Sequence, residues 1–411
     1  MQNHPLRHQI TQEVHARPFQ RLQSELALLH IAVTYEDGGR CCLVQALSDL
    51  LVLLELPLPD DLNGFFYVHN ETIAVRYEPH NEFYTLTMYQ LDKADFTFLR
   101  TLWCELPGQL LCGVEVLFQG KDTDKPDLKM LFGRRQVSGA EVMGGAAKIW
   151  TDFYPDNESG FVNIRVHDIS LKAFQAGRLL QRLCEIETYR HMALLALPVA
   201  QEVMPKLTMM DKELAGITQE IATSANAPDL LKRLMTLAAE VEGLSAETAN
   251  RFSATQAYFA VVDSRIAELR EQRIQGLQTV TQFMERRLDP AKRTCVAAND
   301  RIERLSRRIA RATELIRSQV DLSIEQQNQQ LLKGLNERAK RQLRLQAKLE
   351  SFTIIVVTYY AFDLLERSIR NTVSADVLRD QVLMILSFSV PIIAGVIWWY
   401  VRRLLKHYGD E

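Results

Sequence analysis

The sequence has no Cys-x-x-Cys pair, no phosphate-cradling glycine loop, no apolar leader and little net charge, and each absence removes a class of function. Its six cysteines (Cys41, Cys42, Cys104, Cys112, Cys184, Cys295) lack the spacing of a zinc knuckle or a thioredoxin-like site. Buried reduced thiols are expected instead. Gly139, Gly144 and Gly145 follow neither the GxGxxG nor the GxxxxGK[ST] pattern, so a loop or a strand kink is the expected role. A net charge of −3 points to no nucleic-acid partner. The opening MQNHPLRHQITQEVHARPF has no h-region, so no cleavable signal peptide is expected and most of the chain is expected in the cytoplasm. No nucleophile motif or cofactor motif stands out, and the expected protein is non-catalytic and without a cofactor.

What is present divides the chain into four parts: an N-terminal arm (1–20), an α/β sheet domain (21–170), a helical coiled-coil region (171–350) and a C-terminal hairpin with a basic tail (351–411). In the arm, Pro5 suits the first turn of a helix that Pro18 ends. His4, His8 and His15 fall near one face of that helix and are candidate metal ligands. An arm docked on the main domain accounts for the same residues. In the second part, LALLHIAVTY, GFFYVHN, TIAVRYEP, EFYTLTMYQL and QLLCGVEVLF carry the alternation and aromatic or β-branched content of strands. Residues 41–56 are a helix with a near-continuous apolar surface, ended by Pro57 and Pro59. AAKIWTDFY and GFVNIRVHDI flank the turn-forming PDNES and predict a hairpin.

After Ser170 almost everything is predicted helical, with breaks at Pro198, Pro205, Pro228 and Pro290. Phe259, Val262, Ile266, Leu269, Val280 and Met284 keep close to coiled-coil spacing, and Ile302, Leu305, Ile309, Ala312 and Ile316 continue it. Asp289 followed by Pro290 is a helix start signal. The simplest geometry is an antiparallel helical hairpin turning near Asp289, with arms of about 44 residues or roughly 66 Å. RIERLSRRIARATELIR is basic, but Glu303 and Glu314 interleave and no aromatics alternate with the arginines. A solvated or salt-bridged face is expected there rather than a nucleic-acid surface.

The last part predicts a transmembrane helical hairpin. Residues 382–401, VLMILSFSVPIIAGVIWWYV, run without a charge and match the roughly 30 Å of a bilayer core. Trp398 and Trp399 suit an interfacial belt, and Arg402, Arg403 and Lys406 keep the following tail inside. Residues 352–365 form the other predicted span, with Asp363 near its far interface. Ser387, Pro391 and Gly395 recur every four residues from the span that Val382 opens, a pattern that lets helices approach. Together with the coiled-coil seam it predicts a homo-oligomer.

HPLR and EVHARPF near the start, GRLLQRLCEIETYRHMALLALP (177–198), ELREQRIQGLQT (268–279) and FMERRLDPAKRTC (283–295) resemble, in the same order, the bacterial membrane-protein family DUF3422. The resemblance carries no catalytic residue. The layout is also similar to that of CorA-type divalent-cation channels. Where those channels place Gly-Met-Asn at the outer end of the first span, this chain has AFDLLERSIRNTVSADVLRD. The expectation is therefore an α+β integral inner-membrane protein, a scaffold or sensor with the bilayer, an unidentified protein and further copies of itself as partners. A CorA-like channel is the alternative, and nucleic acid is not expected.

Overall fold

The structure, a computed structural model, describes residues 4, 6–7, 19–23, 25–35, 40–93, 95–102, 106–121, 123, 127–156, 159–221, 227–372, 381–382, 384–385, 388, 390–396 and 398–399. The chain divides into two compact units, 1–314 and 315–411.

The first unit is built on β1 (Leu26–Thr34), whose residues are buried on both faces. Leu26, Leu28 and Ala32 enter one core and Leu29, Ile31 and Val33 the other. A strand covered on both sides must be apolar in this continuous way. β1 pairs antiparallel with β4 (Phe83–Gln90) and with β5 (Gln109–Gln119). β2 (Phe66–His69) and β3 (Ile73–Pro79) extend the sheet beyond β4. On the other side β5 pairs in parallel with β8 (Val162–Asp168), followed by β7 (Ala147–Pro155), β6 (Ser138–Val142) and the two-residue β9 (Gln272–Arg273). The order β2-β3-β4-β1-β5-β8-β7-β6-β9 makes one nine-stranded sheet. The predicted strands and the β7–β8 hairpin correspond to observed ones. Met143, Gly144 and Gly145 all have positive φ (55°, 73° and 85°) and turn β6 tightly into β7.

On one face of the sheet α1 (Arg40–Leu53) lays down Leu43, Leu47, Leu50 and Leu51, with α2 (Leu99–Leu102) beside it. The short α3 (Leu128–Phe132) is capped by the Asp127 carboxylate, which accepts from Lys129 N and Met130 N. The opposite face is covered by α4 (Ala173–Leu194), by the end of α6 (Ala227–Leu269) and by α7 (Val280–Arg287). Between α4 and α6 runs α5 (Ala196–Ile221), which continues through Pro205 rather than ending there. Gly113 of β5 has no room for a side chain: a Cβ there would lie 1.7 Å from the buried Phe161 ring. Gly113→Ala is therefore expected to cost about 1–3 kcal/mol through overpacking, read as a lowered urea midpoint; an unchanged midpoint would show that the Phe161 ring yields freely.

The predicted reversal of the helical region at Asp289 is corrected. α6 ends at Leu269, and the chain turns within residues 270–279, where Arg270 and Gly276 have φ of 52° and 86°. Asp289 does begin a helix, the 84-residue α8 (Asp289–Thr372), but only one residue after α7. The Asp-Pro signal restarts the helix; it does not reverse it.

The transmembrane hairpin is also corrected. Among the described residues no helix is long and apolar enough to cross a membrane. Residues 352–365 span about 21 Å at helical rise, short of the roughly 30 Å required. They are an internal stretch of α8, with Lys348 and Glu350 before them and Glu366 and Arg367 after. Asp363 pairs with Arg367 at 3.1 Å, an ordinary i,i+4 contact. Of residues 382–401, Val382, Pro391, Gly395, Trp398 and Trp399 are helical and exposed. Leu383, Leu386, Ser387, Ser389, Ile397, Tyr400 and Val401 lie outside the described residues, as do Ser374 and the basic tail. Val390, Ala394 and Trp398 face Ile354, Thr358 and Phe362 across a cleft of about 350 Å³. The integral inner-membrane placement and the channel alternative rested on that hairpin and fall with it; the α+β sheet and the long helix stand.

Candidate functional site

A cleft of about 700 Å³ opens beside the β7–β6–β9 side of the sheet, lined by Arg135, Gln136, Asp152, Phe153, Tyr154, Gln278, Phe283, Arg286 and Arg287. That volume is typical of small-molecule sites. Its floor is the Phe153–Phe283 ring pair, stacked with centroids 4.4 Å apart. The end of β7 is shaped to present Phe153. The register against β8 shifts between Thr151 and Pro155, and Phe153 takes φ 55°. Two local bonds hold this bulge: Phe153 N donates to Thr151 Oγ1 at 3.1 Å, and Tyr154 N to Asp152 Oδ1 at 3.1 Å. A bulge with a left-handed, bulky residue is the kind of strain that clusters at binding sites.

α7 supplies the opposite wall, and its position is fixed at its N-terminus. The Glu271 carboxylate accepts from Val280 N (2.9 Å), Thr281 N (2.9 Å) and Thr281 Oγ1 (2.6 Å). Thr279 and Gln282 add a capping box. Val280 and Met284 anchor the helix in the core, which turns Phe283, Arg286 and Arg287 toward the cleft. The connection into α7 is tied to the sheet by Gly139 N donating to Gln278 O (2.8 Å) and by Gln278 Nε2 donating to Ser138 Oγ (3.0 Å). Arg135 donates to the buried Asp152 carboxylate at 2.9 Å and lies 4.9 Å over the Tyr154 ring. Arg286 and Arg287 have no ion-pair partner among the described residues. Three guanidinium groups thus face one carboxylate over an aromatic floor.

Behind the floor lies a buried polar network. The Arg190 guanidinium, 5.7 Å over the Phe153 ring, gives Nε and an NH2 nitrogen to the two carboxylate oxygens of the fully buried Glu187 at 3.1 and 2.6 Å. Burial works to lower the Arg190 pKa, but the charge and hydrogen bonds of Glu187 outweigh it and the net shift is upward. His30 is hydrogen-bonded to Thr87 Oγ1 and Thr188 Oγ1, both at 2.8 Å. Burial, then the charges of Arg76 and His80, push its pKa down to about 3. Cys112, Glu187 and His191 each bring a donor atom within 4.8 Å of the others. This trio does not fit a metal ion: both Glu187 oxygens already hold Arg190, and burial raises the Cys112 thiol well above its usual range. A divalent cation would sit against a buried guanidinium.

Of the candidate metal ligands, His4 is exposed, with its Nδ1 accepting from Leu6 N. His8 and His15 lie outside the described residues. Among the basic residues of 301–317, Arg301 and Arg308 both pair with Asp211 of α5, and Arg304 with Asp300. The cleft residues are not among the site residues expected from sequence, although Phe283, Arg286 and Arg287 stand in FMERRLDPAKRTC.

Fold and cleft together define an α+β protein with a basic, aromatic-floored cleft beside its sheet. The family model described as "Protein of unknown function (DUF3422)" matches residues 2–408, and the chain belongs to that family. The match lends no support to the likeness to CorA-type channels. No curated protein matches the chain.

Proposed function

We propose that the chain is a binding protein whose cleft takes a small organic anion carrying a planar ring. The observation that supports this most is the pair Arg286 and Arg287, without an ion-pair partner among the described residues, lining the same cleft as the stacked Phe153 and Phe283 rings. Guanidinium groups suit phosphate or carboxylate oxygens, and the half-buried Phe283 and exposed Tyr154 rings that line the cleft suit a flat ring. Gln136 and Gln278 add amide groups that donate and accept.

Calorimetric titration with phenyl phosphate, adenosine monophosphate and inorganic phosphate tests the reading. At least one ring-bearing anion is expected to bind about tenfold or more tighter than inorganic phosphate, a difference of about 1.4 kcal/mol. Arg286→Ala with Arg287→Ala should weaken it by a further tenfold or more, because both guanidinium groups are exposed and their removal leaves the fold intact. Equal binding by parent and double variant, or no preference for the ring, would refute the proposal.

A further inference from the structure

Every described side chain from 321 to 350 of α8 is exposed, although the same helix buries Ile302, Leu305, Ile309 and Ala312 earlier. Exposed apolar residues nevertheless fall on a seam whose positions alternate by four and three: Ile324 (51% exposed), Leu331 (65%), Leu335 (59%), Leu345 (63%), Leu349 (66%) and Phe352 (65%). The intervening seam positions are Asn328, Arg338 and Gln342, and Val356 follows. A seam of this period supports a coiled coil.

The sequence of the seam indicates what covers it, because it reads nearly the same in both directions, with only Asn328 opposite Phe352 pairing a polar with an apolar residue. Laid antiparallel about Lys340, Leu331 faces the partner's Leu349, Leu335 the partner's Leu345, and Ile324 the partner's Val356. Arg338 falls opposite the partner's Gln342, so these two polar positions coincide and the guanidinium can donate to the carboxamide oxygen on each side of the axis. A parallel pair would instead stack Arg338 on its own copy, two like charges in one layer. A partner of different sequence requires no such reversal symmetry.

We propose that residues 324–356 of α8 form an antiparallel coiled coil with a second copy of this chain. The proposal is independent of the cleft. Lys340, Arg341 and Arg344 lie near the axis in both copies, so association strengthens as salt screens their repulsion. Binding of this basic stretch to an acidic partner would weaken instead.

Sedimentation equilibrium of the full chain is expected to give a dimer at tens of micromolar, tighter at higher salt. Leu335→Asp with Leu345→Asp should weaken the dimer by about a hundredfold or more without loss of helical circular dichroism, since neither side chain packs within the chain. With Cys41, Cys42 and Cys104 replaced by Ser, an equimolar mixture of Leu335→Cys and Leu345→Cys chains should form mainly the mixed disulfide. A monomeric mass, or Leu335→Cys chains joined to themselves in preference to the mixed pair, would overturn the proposal.

Discussion

Glu187→Gln is expected to lower the stability of the sheet-containing unit by about 3–5 kcal/mol, the usual consequence of leaving one member of a buried ion pair alone. The substitution keeps the shape of the side chain and changes only its charge. Glu187 is fully buried and Arg190 nearly so, and each carboxylate oxygen takes one guanidinium N–H. A glutamine can accept one of those bonds but cannot neutralise Arg190, whose buried charge then has only the Phe153 ring beside it. The cost is one of an uncompensated charge, so it is removable. Glu187→Leu with Arg190→Leu should return most of the lost stability, because an apolar pair of similar size needs no solvation. Denaturant midpoints of the three proteins decide it. A single variant within about 1 kcal/mol of the parent would mean that the pair contributes no more than a surface contact does.

His30 should make the protein acid-sensitive above the range in which carboxylates titrate. In the unfolded chain its imidazole takes a proton near pH 6.5; in the fold burial holds the pKa down to about 3. Above pH 6.5 both states are neutral and stability is unaffected. As the pH falls from there toward 3, the unfolded chain binds the proton and the folded one does not, so stability is lost at about 1.4 kcal/mol per unit. The loss reaches about 3 kcal/mol at pH 4. Thr87 and Thr188 can accept from both ring nitrogens, so protonation breaks neither bond; the opposition comes from dehydration and from the buried Arg76. Stability profiles from pH 7 to pH 4 for the parent and His30→Gln should diverge, the parent falling by about 3 kcal/mol more. Parallel profiles would place the folded pKa near its ordinary value.

The sheet was legible where a strand's own residues state its surroundings. LALLHIAVT and FYTLTMYQ are largely apolar on both faces because both are covered, with His30, Thr85, Thr87 and Gln90 as buried polar exceptions, and PDNES marks the turn into β8. β9 carries no such mark: Gln272 and Arg273 are exposed polar residues whose strand character is conferred by β6. The parallel β5–β8 pairing likewise depends on a partner far along the chain. The cleft was illegible for a related reason. It joins residues from 135–136, 152–154 and 278–287, each unremarkable alone, and its floor depends on a left-handed Phe153 that no composition rule favours. The reversal at 270–279 did carry a local sign, the Thr279–Gln282 capping box, outweighed by the more conspicuous Asp289-Pro290. The apolar content of 352–365 was read correctly as helix but wrongly as a separate span, because the stretch is internal to the much longer α8.

β6 acquires its outer neighbour late. Ala140 and Glu141 pair with Arg273 and Gln272, about 130 residues further along the chain. At the usual pace of translation, about 5–20 residues per second, a nascent chain carries β6 as an open edge for roughly 7–26 s. An open edge is a template for another strand, and on a crowded polysome the neighbouring nascent chains offer the same one. Two features limit the hazard during that interval: β6 is only five residues long, and Glu141 sets a charge within it. Replacing Glu141 by an apolar residue would leave the finished protein's cleft untouched while exposing its synthesis to edge-to-edge misassembly.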